Sequence, residues 1–392
     1  MIVKKIIYIA SMFDEADLGT IFSNPENVSY AANKYNRLLC EGLTQNGVSV
    51  EALALLPVTR SNCKKILVRK RIGKNGDLTV RYMATVNIPG VKHILRCISS
   101  FFRVLFARRG TTVLFDLFAV SANIGMNVAA KIRRFERVCI ITDMPEHLTS
   151  SRMRLRIENK LIADATAYIL LTEQMKKRVD PGHKKTIVLE GHIDRNAARA
   201  EKASSDAHEL SQRIVLYAGA LHRRYGVADL VDAFLACHKQ GEILQLYGSG
   251  DYVDAIQEIA KENPCVQYCG VKPNSHIVEA EARASLLVNP RTGEGEYTKF
   301  SFPSKVLEYM VSGTPVLMAK LPGIPDEYFD YAYTFDDRDP AGLATSLRMV
   351  LDKDEHEIID FGRQAREFVL KNKSNVTQAK KIVEWLQNDG EE

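Results

Sequence analysis

Apolar residues follow two rhythms along this chain of 392 residues. Short unbroken apolar runs alternate with stretches in which apolar residues recur every three or four positions. The runs predict strands buried on both faces, and the stretches predict the helices that cover them. In the first half the runs are Lys5 to Ser11, Val48 to Leu56, Val113 to Leu117, Val138 to Thr142 and Ala167 to Leu171. Helical spacing occupies Ala31 to Gln45, closed by Asn46-Gly47, and Asn123 to Phe135, and another helix is expected from about Thr172. Lys64 to Val86 predicts two strands around the turn Lys74-Asn75-Gly76-Asp77. Alternation of this kind implies parallel sheets with helical crossovers.

The rhythm vanishes between Asp194 and Gln212, where DRNAARAEKASSDAHELSQ is rich in Ala, Ser and charge. This stretch reads as an interdomain linker. A second strand–helix series then runs to about Asp352, and two helices follow, near Glu355 to Lys371 and Asn375 to Gln387. The expected division is a first domain at 1–193, a linker at 194–212 and a second domain at 213–374. Open parallel sheets bind ligands beyond the carboxyl ends of their strands. The loops Gly219 to Tyr225, Gly248-Ser249-Gly250 and Asn289 to Phe302 each follow a predicted strand, so they are expected to converge on one site.

A composition of 46% hydrophobic and 26% charged residues is ordinary for a globular protein. No run of 18 apolar residues exists, so no spanning helix is expected. The opening MIVKKIIYIAS reads as a first buried strand rather than a signal peptide. The seven cysteines are scattered, and the one close pair, Cys265 and Cys269, lacks the further ligands of a zinc site. Free cysteines fit a reducing cytoplasm.

Charge changes the picture more. Residues 1–195 hold 31 Lys and Arg against 17 Asp and Glu, whereas the remainder holds 22 against 31. A basic first half is expected to meet something anionic: a nucleic acid, an anionic membrane surface or a diphosphate-linked lipid. Residues 91–110, VKHILRCISSFFRVLFARRG, have the composition of a helix lying in a membrane interface. The plainer alternative is a core helix with its basic residues on the wet side. Aromatic and basic residues do not alternate as a base-stacking platform would require, which argues against nucleic acid.

The segment Ser301 to Glu327, SFPSKVLEYMVSGTPVLMAKLPGIPDE, carries the most specific signal. Ser301 can cap a helix whose first turn holds Pro303, Ser304 and Lys305. Val306, Leu307 and Met310 form its buried face, Gly313 ends it, and Pro315 to Ala319 reads as a strand. The N-terminus of such a helix suits a phosphate, with Lys299 and Lys305 beside it. Glu308 then lies where a carboxylate can accept ribose hydroxyls, unless it is simply a solvated helix residue.

This segment resembles the nucleotide-sugar helix of the retaining glycosyltransferases of family four. LEYMVSGTPV and LPGIPDE match the later part of that family's motif. IVLYAGALHRRYGVADLVDAF and LQLYGSGDYVDAIQEIAKENPCVQYCGV are similar to its opening strand–loop–helix and the unit after it. The resemblance runs in register from about Arg213 to Leu343 and is looser in the N-terminal half. It implies an α/β protein of GT-B type: two Rossmann-like doubly wound parallel-sheet domains facing across a cleft, with 375–392 packing back on the first.

The resemblance assigns Glu308 to the ribose and sets Gly219, Arg223, Arg224, Gly248, Gly250, Lys299, Ser301 and Ser304 around the donor nucleotide. Lys305 would neutralise the departing diphosphate. Asp143, in VCIITDMPEH with Glu146 and His147 as neighbours, would touch the sugar hydroxyls. The loop Leu18 to Asn24 is a further candidate for acceptor or phosphate contact. Two departures stand out. Phe300 occupies the position eight before Glu308 where the family carries Glu, leaving Glu294 or Glu296 to supply a carboxylate. Ala220 and Tyr225 stand where the family carries a diphosphate-binding Arg and Lys.

The implied activity is transfer of a sugar from a nucleotide sugar, a UDP-sugar, to a lipid-linked or polysaccharide glycan, with retention and with no metal or cofactor. The implied place is the cytoplasm, peripheral on the inner face of the membrane. The alternatives are another nucleotide-sugar enzyme on this scaffold, such as an epimerase, or a non-catalytic scaffold protein. A nicotinamide oxidoreductase is disfavoured because the Gly-x-Gly-x-x-Gly signature is absent.

Overall fold

Ile6, Ile7, Tyr8, Ile9 and Ala10 are all fully buried. A strand with no wet face needs cover on both sides, which is the parallel-sheet arrangement. The computed structural model describes residues 5–24, 28–179, 182–199, 212–293, 295–339 and 341–388. Most of the expected linker, at 200–211, and Glu294 lie outside the described residues. The chain divides into two units, Met1–His192 with Asn375–Glu392, and Ile193–Ser374.

The first unit runs β1 (Lys5–Ser11), α1 (Tyr30–Gln45), β2 (Ser49–Leu55), β3 (Leu67–Val68), β4 (Arg71–Asn75), β5 (Leu78–Tyr82), β6 (Thr85–Val86), α2 (Val91–Leu105), β7 (Thr112–Asp116), α3 (Val120–Arg133), β8 (Arg137–Ile141), α4 (Pro145–Leu148), α5 (Arg152–Asp164), β9 (Ala167–Leu170), α6 (Glu173–Val179) and β10 (Lys185–Val188). Its main sheet has the order β10-β9-β8-β7-β1-β2-β5-β4. Every pair is parallel except β4 with β5, the hairpin expected around Lys74 to Asp77. A short antiparallel ladder, β3 with β6, leads into α2. Strand order reverses direction between β1 and β7, the switch point at which doubly wound sheets open a crevice.

The second unit runs β11 (Arg213–Ala218), α7 (Val227–Cys237), β12 (Glu242–Tyr247), α8 (Val253–Glu262), β13 (Val266–Gly270), α9 (Asn274–Arg283), β14 (Leu286–Asn289), α10 (Ser304–Ser312), β15 (Val316–Ala319), β16 (Tyr333–Phe335), α11 (Gly342–Leu351) and α12 (Glu355–Asn372). Its sheet is wholly parallel, ordered β13-β12-β11-β14-β15-β16, with the switch point between β11 and β14.

The last helix, α13 (Asn375–Gln387), belongs to the first unit. It lies on α1 so closely that a Cβ on Gly42 would sit 2.2 Å from the Asn375 carbonyl oxygen. The Asn375 amide donates to the Leu38 carbonyl, the Asn46 amide to that of Val376 (2.9 Å), and the Gln378 amide to that of Gly191 (2.8 Å).

One expectation needs correction. Ser301 does not cap the helix. α10 begins at Ser304, Pro303 is its cap residue, and no side chain caps it. A 3-10 turn over Glu296–Phe300 comes first and ends at Ser301 in extended backbone. The end of the helix is as expected, with Gly313 left-handed at φ 80°.

Candidate active site

At the switch point of the second unit two loops press together. Gly226 closes the loop after β11 at φ 76°, and a Cβ there would lie 2.1 Å from the Pro290 carbonyl oxygen of the loop after β14. Only glycine meets both conditions. The Tyr309 hydroxyl of α10 accepts from the Ala218 amide at 3.0 Å and bonds the Ala218 carbonyl at 3.2 Å. That pair fixes α10 on the carboxyl end of β11.

The sequence-predicted donor residues fall into two groups here. Gly219, Gly248 and Gly250 join the loops after β11 and β12. A Cβ on Gly248 would lie 1.8 Å from the Gly219 carbonyl oxygen, and one on Gly250 would lie 2.2 Å from that of Leu221. The Leu221 amide donates to Ser249 at 2.8 Å. The Gly-x-Gly turn is thus required by backbone packing, whatever it does for a ligand. Arg223 is exposed, its guanidinium 4.4 Å from the Tyr252 ring centroid and its amide bonded to Asp251.

The second group surrounds Tyr225. The Arg224 guanidinium lies 4.8 Å and that of Arg291 5.7 Å from the Tyr225 ring centroid. Arg291 also donates to the Ser301 hydroxyl at 3.0 Å, so Ser301 holds a cation in place instead of capping the helix. Lys305 pairs with Glu308 one turn on, at 2.9 Å. Burial pushes the Lys305 ammonium down, but Glu308 and Glu281 outweigh it, so its affinity for the proton is raised and it stays charged. Ser304, Lys299 and Glu296 are exposed, the last two on the 3-10 turn. The buried Thr298 hydroxyl holds that turn through the Gly293 and Gly295 carbonyls. The loop after β15 closes over it: a Cβ on Gly323 would meet the Ser301 carbonyl oxygen at 2.4 Å.

Two residues here escaped the sequence reading. Arg291 is a cation at the switch point, two residues past β14. Asn289, 6% exposed, ends that strand, and its side-chain nitrogen has no partner among the described residues. A buried donor without a partner is a site where a ligand or water is expected.

In the first unit Asp143 is half-buried, two residues past β8. Its neighbour Glu146 is engaged by Arg178 at 2.9 Å, and His147 is exposed. Met144, Glu146, Tyr168, Arg178 and Lys184 line a cavity of about 410 Å³. The loop 18–24 is anchored by the preceding buried Asp17, which binds Arg71. A further acid, Asp116, ends β7 at this unit's switch point and is 8% exposed. Burial pushes its carboxyl up to about 6; the Phe118 amide and Asn36 pull it down, and the charge of Asp143 adds to the rise. A strand ending in Asp carries no distinctive pattern, which is why sequence reading passed over it.

Comparison with known proteins adds the decisive observation for the second unit. Residues 212–353 match the glycosyl transferases group 1 family. This group 1 domain contains the switch-point loops, α10 and the loop after β15. No curated protein sequence matches the chain. Among solved structures, sucrose-phosphate synthase from Thermosynechococcus elongatus aligns with a TM-score of 0.66 at 16% identity, covering 98% of each chain. HepE of Anabaena in complex with UDP aligns at 0.63 and 15%, over 98% of this chain and 99% of that one. The α,α-trehalose 6-phosphate synthase of Burkholderia multivorans aligns at 0.64 and 10% over all of both. At these identities the likeness speaks to the fold, which is α/β of the GT-B glycosyltransferase type. Among the described residues no helix is long and apolar enough to cross a membrane.

Proposed function

We propose that the protein transfers a sugar from a UDP-sugar to a hydroxyl of a lipid-linked or polysaccharide glycan, with retention, at the inner face of the cell membrane. The observation that carries this reading is the set formed by the uncapped N-terminus of α10, Lys305, Glu308 and Arg291 inside the group 1 domain. An uncapped helix start with two cations beside it suits a diphosphate. Glu308 suits the ribose. The alignment with a UDP-bound structure supports the choice of base. In the step proposed, the bond from the anomeric carbon to the diphosphate oxygen breaks as the acceptor oxygen bonds to that carbon on the same face. The acceptor proton passes to the departing phosphate. Arg291, Lys305 and the helix end stabilise the growing negative charge, so catalysis is positioning and electrostatics without a metal. Glu296 is proposed to hold sugar hydroxyls.

The test is a thermal-shift panel of nucleoside diphosphates and their sugars, followed by turnover with and without acceptor. UDP and UDP-sugars should raise the melting temperature, because a ligand that binds only the folded state stabilises it. Glu308→Ala should abolish most of that shift. An unchanged shift in that variant would remove Glu308 from the site. Donor conversion without acceptor would point to an epimerase, and no shift with any nucleotide to a scaffold protein.

A further inference from the structure

Helix α2 is turned inside out. Its polar residues face the protein: Arg96, 7% exposed, donates to the Leu56 carbonyl at 2.6 Å, Lys92 to that of Val58 at 3.0 Å, and Arg103 binds the buried Glu51. The buried Ser100 hydroxyl bonds the Ala122 carbonyl. Most of its apolar residues face out, Val104 being the buried exception. Val91, Ile94, Leu95, Ile98, Phe102 and Phe106 are all exposed, Ile94 at 60% and Phe106 at 75%. Their spacing places them on one stripe. The alternative of a core helix with a wet basic side is therefore excluded.

The stripe does not stand alone. Helix α3 lies against α2 so closely that a Cβ on Gly125 would meet the Cys97 carbonyl oxygen at 1.9 Å. Ile124, Val128 and Ile132 form a second exposed stripe on α3, one residue in four. At the N-terminal end, the β3–β6 ladder adds exposed Ile66, Leu67 and Ile88. An apolar surface of this extent marks a site of association.

Charge identifies the occupant. Residues 52–135 hold sixteen Lys and Arg against two carboxylates, Asp77 and Asp116, and Asp116 is buried. Exposed Lys64, Lys65, Arg69 and Lys70 flank Ile66–Leu67, while Arg108 and Arg109 follow Phe106. An apolar centre with cations at both ends and almost no exposed carboxylate complements an anionic bilayer. A second copy of this surface would instead oppose like charges.

We infer that the joint face of α2 and α3 seats the first unit on an anionic lipid bilayer, Ile94, Ile98, Phe102, Phe106 and Ile132 entering the interface while Lys64 to Lys70 and Arg108–Arg109 meet headgroup phosphates. The inference deepens the proposed function and rests on it for its consequence: a seated enzyme meets a lipid-linked acceptor at the surface. The test is co-sedimentation with vesicles of phosphatidylglycerol and phosphatidylcholine, against phosphatidylcholine alone, at low and high salt. The chain should pellet with the anionic vesicles and lose affinity as salt rises. The surface variant Ile94→Ser/Ile98→Ser/Phe102→Ser should bind at least about tenfold more weakly, with an unchanged melting temperature and an unchanged shift with UDP. Arg108→Glu/Arg109→Glu should weaken binding mainly at low salt. Wild-type protein left in the supernatant at low salt overturns the inference, as does a triple variant that pellets like wild type. A dimer in sedimentation velocity that the triple variant abolishes, without vesicle binding, would assign the face to a second copy. None of these readouts depends on sugar transfer, so the two readings fail separately.

Discussion

Replacing Asp116 with Asn should stabilise the unit that holds it, and only above the acid's titration range. The carboxyl is pushed up from 3.8 to about 6, first by burial and then by the charge of Asp143 against the opposing pull of the Phe118 amide and Asn36. The folded state therefore keeps a proton that the unfolded chain releases. Below about pH 4 both states are protonated and the acid is neutral to stability. As pH rises through the window between about 4 and 6, stability is lost, and above it the full cost applies. About two units at ~1.4 kcal/mol each make that cost roughly 3 kcal/mol. Asn cannot ionise, yet its oxygen still accepts from the Phe118 amide, now at 3.0 Å. The variant's advantage should be near zero at pH 4 and about 3 kcal/mol at pH 7. In a unit of this size that is a rise in melting temperature of roughly 6–12 °C. Guanidinium unfolding at pH 4, 5, 6 and 7 measures it. An advantage that does not grow with pH would refute the burial argument. If the stabilised variant also loses transfer, Asp116 is an acid the fold retains for function at the expense of stability.

Substitutions at three further positions test the second unit. Arg291→Ala should weaken UDP binding by about 10- to 100-fold, as loss of a charged hydrogen-bonding partner does, and Arg291→Lys should restore only part because an ammonium lacks the planar fork; calorimetric titration with UDP decides, and equal affinity in all three forms would dismiss Arg291. Gly226→Ala should cost about 1–3 kcal/mol, from a left-handed backbone and a Cβ placed against Pro290, and an unchanged denaturation midpoint would deny that these loops touch. Tyr309→Phe removes both bonds to Ala218 and should cost about 1–3 kcal/mol in unfolding experiments, while a neutral result would mean that α10 is fixed by apolar packing alone.

Much of the fold was legible because short unbroken apolar runs, alternating with helical spacing, favour buried parallel strands. Lys5 to Ser11 is a strand end to end, and the predicted Val48 to Leu56 differs from the observed Ser49–Leu55 by a residue at each end, the usual fraying of element boundaries. The start of α10 was misread because Ser301 and Pro303 obey capping statistics that describe local chain alone. Here the serine hydroxyl is claimed by Arg291, ten residues back, across a 3-10 turn whose brevity leaves no periodic trace. Amphipathicity in α2 was visible, but not which face is buried. That depends on Glu51 and on the carbonyls of Leu56 and Val58, which no helical wheel contains. Arg291, Asn289 and Asp116 escaped for a related reason. Asn289 and Arg291 lie in a loop expected at the site, but nothing local singles them out from its other residues, and Asp116 ends an ordinary strand that only the sheet order places at a switch point.

The switch point also bears on the departures from the group pattern. Ala220 and Tyr225 stand in the loop after β11 where the resemblance expects an Arg and a Lys, while Arg223 and Arg224 lie in that same loop and offer one replacement. In a doubly wound sheet that loop and the loop after β14 line the same crevice, and here Gly226 and Pro290 bring them into contact. A cation supplied from the second loop therefore reaches the same place as one from the first. Arg291 is such a cation. Tyr225, standing at the vacated position, presents its ring to Arg291 on one loop and Arg224 on the other. A guanidinium over an aromatic face keeps its charge and gains orientation. Positive charge is thus present on both loops of the crevice, from Arg223 and Arg224 on one and Arg291 on the other, which supports the proposed transferase over a scaffold that has shed its chemistry.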